Sequence, residues 1–513
     1  MVGDAVGPAR ALGVSAAAGT STGRVGLSVL AGASVGWTAA LALALAAGSL
    51  GWPLVHDAPL MHYIATRILE GAVPYRDVFD MNFPGVYLAH LLGLGLFGRG
   101  DAGFRAFDLL VLGGTALGLA VGLQSFGRWA IAAAAALFGL YHLAGGAWRA
   151  GQRDFILCLP LAWMLAAAMA YLRSGRPRWL ALAGVGLGTA VWIKPHAGLL
   201  APVLVTLAWR RPPGERWPAL ASLALGLGLP AVGIAAWLGA AGGLGPFLDI
   251  VGGYVLPLYS RLGRESLVTA VLGHDLGVAV LAGLGLWTLG GWLLLDRAAR
   301  AEGRRALLAA TVAYGALHFA LQGKGWEYHL YPFALFAVAS GAAGLGDALR
   351  RRRRHAAGAL LAVLVLTATV LGVKGWWNLE PAWIAEKSAR AHALARTLAP
   401  LSGDRTPVQV LDTTDGGIHA LYLLGLRQPT RFIYDFHFYH DVDRPYVQRL
   451  RAELMAELRR RPPAAVVLFE RGWPSGDYDR VEAFPALAGW LEAGYRLAEQ
   501  GDGYRVYAAR RDR

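Results

Sequence analysis

Charged residues are scarce in this sequence, and cysteine is almost absent. Asp, Glu, Lys and Arg account for 16% of the 513 residues and hydrophobic side chains for 56%. Ordinary soluble domains contain roughly 25% charged residues. The single cysteine, Cys158, excludes an internal disulfide bond and a thiolate metal centre. These shortages argue against an ordinary soluble domain and exclude a disulfide-stabilised scaffold.

Long segments of the chain carry no charge at all. The 32 residues between Arg24 and Asp57 include no Asp, Glu, Lys or Arg, and comparable gaps recur as far as Lys374. A helix that crosses the ~30 Å hydrocarbon core of a membrane needs about 20 mostly apolar residues. The sequence therefore predicts a polytopic α-helical membrane protein with about eleven spans, at 26–50, 106–124, 129–148, 154–172, 179–194, 196–209, 217–240, 273–295, 306–322, 329–348 and 357–376. The first span is too long for a cleaved secretory signal, so we expect a retained signal anchor.

Positive charge is concentrated in alternate short loops. The net charge is +14, but the region from Asn378 onward has 19 Lys or Arg against 18 Asp or Glu. The excess lies in loops that contain Arg128, 173–178, 210–216, 297–305 and 350–354. Loops rich in Lys and Arg stay in the cytoplasm. The pattern therefore predicts a cytoplasmic N-terminal tail over 1–25, and it explains the net charge without nucleic acid.

One further apolar block, 81–98, leaves the number of spans open. If the N-terminus is inside, a twelfth span here would place every basic loop outside, against the usual charge bias. We therefore predict an interfacial or re-entrant helix that begins after Asn82-Phe83-Pro84-Gly85. The alternative is a twelve-span chain with an outside N-terminus, which would put the acidic loop 57–80 in the cytoplasm.

The pattern changes at Asn378 to that of a soluble α/β domain. Buried parallel strands are predicted at 408–412, 431–435 and 465–469, with helices near 418–424, 445–461 and 482–495. A final hairpin is predicted at 495–500 and 504–509, around Gly501-Asp502-Gly503. No G-x-G-x-x-G phosphate loop follows the first strand, so no nucleotide site is predicted there. We expect a membrane domain over 26–377 and an extracytoplasmic domain over 378–513.

The first outward loop, 51–105, brings polar residues to the membrane surface. Asp57 directly follows the first span, where an ionised carboxylate is unfavourable without a partner or water. A lone acid at this place is most simply a loop residue. However, Asp77, Asp80, two histidines and several aromatic residues share the loop, which leads into a proline-containing helix. This combination indicates a functional site.

The same loop resembles a known family. It has an acid just after the first span and then the pattern G-x-x-P-Y-x-D…D-x-N-x-P, from Gly71 to Pro84. In this it is similar to the GT-C membrane glycosyltransferases, and among them to the protein O-mannosyltransferases and the lipid A aminoarabinose transferases. The resemblance implies that Asp57 is the catalytic base and that Asp80 is the acid before the proline-containing helix. The relatives usually have His or Lys next to two prolines, so this chain departs from them at Asn82.

Several cations lie on other predicted outward turns, against the usual bias of Lys and Arg towards the cytoplasm. They are Arg149, Arg153, Lys194, His196 and Lys324, with Asp154, Tyr328 and His329 beside them. Each cation alone is most simply a side chain that reaches from a helix end to water. The resemblance implies that Lys324 and Tyr328 contact a phosphate, and that Arg153 and Asp154 correspond to the family's acidic start of the fourth span.

The resemblance implies a glycosyltransferase that moves a sugar from a polyprenyl-phosphate donor to an acceptor outside the cytoplasm. Such transfer needs a base for the acceptor and cations for the departing phosphate. We expect Asp57 in the first role, the cations in the second, and Asp77 and Asp80 in support of the base or in acceptor binding. The expected location is a bacterial inner membrane, and the acceptor a lipid, glycan or protein. The alternatives are a transporter for a lipid-linked or anionic solute, and a scaffold subunit without catalysis.

No cofactor is firmly predicted. The sequence has no H-E-x-x-H or clustered carboxylate motif for a fixed metal. A divalent metal stays possible in this interpretation, because folding could bring His56, Asp57, Asp80 and His329 together. The sequence does not identify the sugar, the acceptor or the oligomeric state.

Overall fold

The computed structural model describes residues 18–273, 277–296, 303–403 and 406–510, with side chains from residue 26 onward. Arg297 and Arg300 of the predicted basic loop, and most of the predicted N-terminal tail, lie outside these residues. Helices dominate the described chain. They are α1 Ala18–Gly48, α2 Ala58–Leu69, α3 Pro84–Phe97, α4 Asp101–Leu123, α5 Arg128–Leu143, α6 Arg153–Ser174, α7 Pro177–Ile193, α8 Ala201–Trp209, α9 Pro213–Ala241, α10 Leu244–Ile250, α11 Leu267–Leu272, α12 Gly277–Leu294, α13 Arg304–Gln322, α14 Tyr331–Arg350, α15 Arg354–Trp377, α16 Ala382–Leu401, α17 Gly417–Leu424, α18 Pro445–Arg460 and α19 Pro485–Gly494.

Each predicted span coincides with a helix, but not every helix is long enough to cross a membrane. Within the described residues, seven segments are long and apolar enough: Gly26–Gly51, Asp101–Phe126, Arg153–Ser174, Pro213–Ala241, Gly277–Leu294, Glu327–Arg350 and Arg354–Leu401. The protein is therefore a multi-pass membrane protein. Helix α8, over the predicted span 196–209, has only 9 residues and follows a 3-10 turn, Pro195–Leu200. Since a span needs about 20 residues, the count of eleven stays a prediction.

The apolar block 81–98 forms helix α3 of 14 residues, which is short for a membrane span. Pro84 is its first residue, a position where the missing N–H costs nothing. Gly85 lies against the backbone of α7, where an added Cβ would come within 2.6 Å of the Trp192 carbonyl oxygen. Only glycine allows this approach, so the loop before α3 is held directly beside the C-terminal end of α7.

The C-terminal region contains a four-stranded sheet. Its strands are β1 Val408–Leu411, β2 Ala465–Phe469, β3 Tyr495–Gly501 and β4 Tyr504–Ala509, in the spatial order β1-β2-β4-β3. Strands β1 and β2 are parallel, and β4 is antiparallel to both of its neighbours. The predicted strands at 408–412 and 465–469 and the final hairpin are confirmed.

The predicted strand 431–435 is wrong. Its backbone pairs with the first outward loop instead of the sheet, through an isolated bridge between Phe79 and Phe432. The Phe79 N–H donates to the Arg431 carbonyl oxygen at 2.7 Å, and the Arg431 guanidinium donates to the Tyr75 carbonyl oxygen at 2.8 Å. The apolar run that suggested a sheet strand is therefore buried at the contact between the C-terminal region and the membrane domain.

The alternation of basic loops predicts the orientation of the chain, and reporter fusions test it. An alkaline phosphatase fusion at the C-terminus should be active, because that region is expected outside, whereas a fusion at Arg351 should be inactive. The measurement is the alkaline phosphatase activity of the two fusions, made in a bacterial host and compared at equal expression. The reverse pattern of activities would invert the predicted topology.

Candidate functional site

Two neighbouring cavities lie at the ends of the membrane helices, and the smaller of them also borders the C-terminal region. The larger measures about 630 Å³ and the smaller about 180 Å³. They share four lining residues, Met81, Arg153, Tyr259 and Trp326. The side chain of Arg153 is therefore reached from both cavities, and it stands at the boundary between them.

The larger cavity is lined by a group of apolar residues and a group of cationic residues. Its apolar wall includes Leu199, Val251, Val255, Leu256 and Leu321, from α8's preceding turn, the π-helix Val251–Tyr259 and α13. The polar residues that line it include Arg153, Lys194, His196, Lys324 and His329. A cavity with this division suits a ligand that has a long apolar part and an anionic group.

Lys194 forms an ion pair with a buried carboxylate. Asp154, the second residue of α6, is fully buried and accepts from the Lys194 ammonium at 2.6 Å. Its other oxygen lies 2.6 Å from His318 Nε2 on α13. Asp154 therefore does not line the cavity, but it fixes the position of a cation that does.

Lys324 has no carboxylate partner within the described residues. Its ammonium donates to the carbonyl oxygens of Tyr259 and Leu262, at 3.2 and 2.8 Å. It also lies over the rings of Tyr259 and Trp473, 4.0 and 4.6 Å from their centroids. Burial, together with the nearby cations Arg153, Lys194 and Arg264, lowers the pKa of Lys324 to about 7. An anion bound here would relieve this unfavourable charge.

Arg153 is oriented by the first loop. Its guanidinium donates to the side-chain oxygen of Asn82, and the Asn82 amide nitrogen donates to both oxygens of Asp80, at 3.0 and 2.9 Å. Asp80 also accepts from Tyr87 OH at 2.6 Å and from the Met81 N–H at 2.7 Å. The carboxylate of Asp80 is thus fully occupied within the loop and lines neither cavity.

Asp57 lines the smaller cavity. One of its oxygens accepts from Gln152 Nε2 at 3.0 Å. Burial alone would raise the pKa of Asp57, but His56, Arg153, the hydrogen bond from Gln152 and Lys387 together hold the pKa below its ordinary value. The carboxyl group is therefore ionised at neutral pH, and it faces the same cavity as the guanidinium of Arg153.

The C-terminal region forms the opposite wall of the smaller cavity. It contributes Thr413 and Thr414, which follow β1, together with Tyr434, Phe436 and Trp473. Trp148 and Trp326 add aromatic surface from the membrane domain. These residues were missed from the sequence, although the carboxyl end of a parallel strand is a common place for ligand-binding loops and could have pointed to Thr413.

The predicted site residues fall into three groups. Asp57, Arg153, Lys194, His196, Lys324, Tyr328 and His329 line one or both cavities. Asp154 and Asp80 line neither cavity, but each contacts a residue that does. Asp154 binds Lys194, and Asp80 binds Asn82. Asp77 lies outside both cavities, where it accepts from the Val73 N–H at 2.8 Å and from Arg76 at 2.9 Å. It therefore shapes the loop.

Arg149, another cation on a predicted outward turn, is also placed apart from the cavities. It is buried against the rings of Tyr141 and Tyr331, and it lies 3.3 Å from Glu327.

The structure does not gather the residues named for a possible metal. His56 and Asp57 line the smaller cavity, His329 lines the larger one, and Asp80 lines neither. Among the described residues, no three His, Cys, Asp or Glu side chains group in a way that could hold a metal ion.

Comparison with known proteins agrees with this architecture. Residues 84–237 match the family model described as dolichyl-phosphate-mannose-protein mannosyltransferase. The structure is similar to ArnT from Cupriavidus metallidurans bound to undecaprenyl phosphate, with 14% identity, 97% of this chain and 99% of that chain covered, and a TM-score of 0.57. Apo ArnT from the same organism gives 16% identity, 93% and 98% coverage, and a TM-score of 0.56. No curated protein sequence matches the chain.

The matched family segment contains Arg153, Asp154, Lys194 and His196, but it begins after Asp57 and Asp80. The structural similarity extends over nearly the whole length of both chains, and so it includes the first loop and the C-terminal region. The family match covers less than half of the chain, and the structural similarity to ArnT shows a shared fold over nearly the whole chain.

Proposed function

We propose that this protein transfers a sugar from a polyprenyl-phosphate donor to an acceptor on the extracytoplasmic side of a bacterial inner membrane. The observation that carries the proposal is the position of Arg153 between the two cavities. The larger cavity offers a group of apolar residues and a group of cationic residues, and the smaller one offers an ionised carboxylate among aromatic and hydroxyl side chains. ArnT, which has the same fold, is bound to undecaprenyl phosphate in one of its structures.

In this proposal the donor lies across the boundary between the cavities. Its polyprenyl chain runs along Val251, Val255 and Leu256, and its phosphate meets Arg153, Lys194 and Lys324. The sugar then projects into the smaller cavity, beside Asp57. Lys194 and Lys324 approach the phosphate from the turns that follow α7 and α13, so the negative charge that develops there is stabilised by groups already held in place.

Asp57 is the general base in this mechanism. It takes the proton from the acceptor hydroxyl or amine while that group attacks the anomeric carbon of the sugar. The bond between this carbon and the phosphate oxygen breaks, and its electron pair stays on the phosphate. Attack from the face opposite the phosphate inverts the configuration of the sugar. No observation favours a transporter as strongly as the family match favours a glycosyltransferase.

Replacement of the base tests the proposal most directly. Asp57→Asn keeps the size of the side chain but cannot take up the proton, so kcat should fall by roughly 10²–10⁴-fold, the usual contribution of general-base catalysis. Donor binding should stay close to that of the wild type. The assay is sugar transfer by purified protein supplied with lipid extract and candidate acceptors, followed by mass spectrometry.

Asp77→Asn is the matched control, because Asp77 lies in the same loop but outside both cavities. It should keep most of the activity. Wild-type turnover in Asp57→Asn, with turnover lost in Asp80→Asn, would assign the base to Asp80 instead. Movement of lipid without sugar transfer by the wild-type protein would favour the transporter.

Phosphate binding by Lys324 has a pH signature. The donor phosphodiester keeps one negative charge near neutral pH, whereas the pKa of Lys324 in the empty site is about 7. Donor affinity should therefore fall as the pH rises above about 7, because only the protonated side chain attracts the phosphate. Lys324→Gln should weaken binding at pH 6 by about 1.5–3 kcal/mol, the contribution of a hydrogen bond to a charged group, and should lose this pH dependence.

Arg449→Gln is the control for a lost positive charge. Arg449 forms an exposed ion pair with Asp249 at 2.9 Å and lines neither cavity. Donor affinity measured by equilibrium binding between pH 6 and 9 should match the wild type in this variant. The same affinity and pH profile in Lys324→Gln would mean that Lys324 only supports the local backbone.

A further inference from the structure

A third cavity, of about 450 Å³, lies at the opposite end of the membrane helices from the candidate site. It is lined by the ends of four helices: the start of α5, the end of α14, the start of α15 and residues 27–28 of α1. Its polar lining includes Arg128, Arg350, Arg352 and Arg354, and none of the described acidic residues lines it. Leu27, Phe126, Trp129 and Leu349 give it an apolar wall.

The arginines of this region differ in how their charges are compensated. Arg350 and Arg351 pair with Asp347, at 2.9 and 3.2 Å, and Arg353 donates to the Leu294 carbonyl oxygen at 3.3 Å. Within the described part of the chain, Arg128, Arg352 and Arg354 contact no carboxylate. Arg352 also has a φ of 56°, a left-handed conformation that is unfavourable for a side chain of this kind. Three uncompensated guanidinium groups thus surround one cavity.

We propose that this cavity binds the phosphate headgroup of an anionic phospholipid. Guanidinium groups bind phosphate oxygens through paired, charge-assisted hydrogen bonds. Basic clusters beside the ends of membrane helices attract anionic lipids. The apolar wall of Leu27 and Trp129 accommodates the start of an acyl chain. A free phosphate ion would leave this apolar part of the cavity unfilled. The predicted topology places this lipid in the cytoplasmic leaflet, and the proposal does not depend on the catalytic function.

Native mass spectrometry of the full-length protein tests this site. The protein is released from vesicles of phosphatidylglycerol and phosphatidylcholine, and retained lipids are counted. The double variant Arg352→Gln/Arg354→Gln should retain phosphatidylglycerol roughly ten-fold less than the wild type, because each basic residue contributes separately to anionic-lipid binding. Retention of phosphatidylcholine should not change, and millimolar inorganic phosphate should not displace the lipid.

The control is Arg176→Gln/Arg178→Gln, on another loop predicted to be cytoplasmic. Arg178 lies over Trp179 with its guanidinium 5.3 Å from the ring centroid, much as Arg128 lies over Trp129 at 5.0 Å, but it does not line the cavity. Equal losses of phosphatidylglycerol retention in the two double variants would contradict the proposed site and indicate a general effect of net charge. Displacement by inorganic phosphate would overturn the lipid as its occupant.

A second, independent observation concerns Lys387 on α16, which reaches the loop that carries Asp57. Its ammonium lies 3.0 Å from His56 Nδ1 and 3.4 Å from an Asp415 oxygen. The His56 ring is held edge-on between Trp148 and Trp383, with centroids 5.9 and 6.0 Å away. His56 has a φ of 64°. Because an ammonium group can only donate, His56 must accept through Nδ1, so its proton is on Nε2 when the ring is neutral.

We infer that Lys387 is a positioning residue for Asp57 and acts through His56. This inference rests on the proposed function. By fixing the tautomer and the orientation of His56, Lys387 holds the strained loop residue directly before the base. Burial lowers the pKa of His56 to about 4, and Lys387 acts in the same direction, whereas Asp57 and Asp415 oppose it. His56 is therefore neutral near pH 7 and becomes charged only in acid, where it favours the ionised form of Asp57. At neutral pH Lys387 is the positive charge that the C-terminal region supplies to Asp57.

The other charged and titratable groups around Asp57 come from several elements. They are His56 on the same loop, Arg153 on α6, Tyr259 on the π-helix, Tyr328 before α14, and Lys387 and Tyr434 in the C-terminal region. Lys387 and Arg153 are the cations among them, and both favour the ionised carboxylate. Loss of Lys387 should therefore raise the pKa of Asp57.

The pH profile of sugar transfer tests this role. In Lys387→Gln the acid limb of kcat/KM should shift to higher pH, and Lys387→Arg should restore most of the original profile. Arg449→Gln removes another cation of the C-terminal region that contacts the membrane domain, and it should leave the profile unchanged. A wild-type profile in Lys387→Gln, with only a uniform loss of rate, would reduce Lys387 to a structural contact. No sugar transfer by the wild type would instead refute the proposed function.

Discussion

A half-buried guanidinium, that of Arg153, sets the arrangement of the whole site. A charge at the edge of the membrane is unfavourable unless it has polar partners. Asn82 supplies one polar partner of Arg153, and hydrogen bonds to Asp80 fix the orientation of the Asn82 amide. Because the amide nitrogen of Asn82 donates to both Asp80 oxygens, its oxygen must face Arg153. The first loop, the start of α3 and the boundary between the two cavities all depend on this chain of three side chains.

The two lysines of the larger cavity are held in different ways, and this difference has a consequence for ligand binding. Lys194 already has a carboxylate partner in Asp154, so an arriving anion competes with an existing ion pair. In the described part of the chain, Lys324 contacts carbonyl oxygens and aromatic rings but no carboxylate, so its charge is less well compensated. An anionic ligand therefore gains more from Lys324, whereas Lys194 contributes a fixed charge whose position changes little on binding.

Much of the membrane domain could be predicted from the sequence, because long charge-free segments have few alternatives in a lipid bilayer. The helix over each predicted span follows from that constraint. The short length of α8 could not be predicted, because a turn at Lys194 and Pro195 divides an apolar stretch that looks continuous by composition. The strand expected at 431–435 failed for a related reason. Its alternative partner, Phe79, is more than three hundred residues away in the chain, and no local pattern reveals it.

The candidate site shows the same limit. Asp57, Arg153, Lys194 and Lys324 were predicted because each is a charge beside an apolar segment, which is unusual in any sequence. Tyr259, Thr413 and Trp473 are ordinary residues in their local context, and only folding brings them to the cavities. The part of the site that comes from the C-terminal region was therefore missed, although it forms one wall of the smaller cavity and contacts Lys324 through the ring of Trp473.

The two acids of the first loop illustrate how surroundings separate similar groups. Burial is the largest influence on both, and by itself it raises the pKa of a carboxyl group. For Asp57 the effect of burial is outweighed by His56, Arg153, Gln152 and Lys387, so the pKa falls. For Asp80 the hydrogen bonds from Tyr87 and Asn82 do not outweigh burial, and the pKa is raised. Opposite shifts in neighbouring carboxyl groups are typical of sites that assign them different roles.

Position strengthens this distinction between the acids. A base must have an oxygen that the acceptor can reach, and both Asp80 oxygens already accept hydrogen bonds from within the loop. Asp57 has one hydrogen bond, from Gln152, and its carboxylate faces the smaller cavity. An acceptor that enters this cavity meets Asp57 directly, but it would have to displace Tyr87 or Asn82 to reach Asp80. Displacing Asn82 would also release Arg153, so the geometry proposed to bind the phosphate is incompatible with Asp80 as the base.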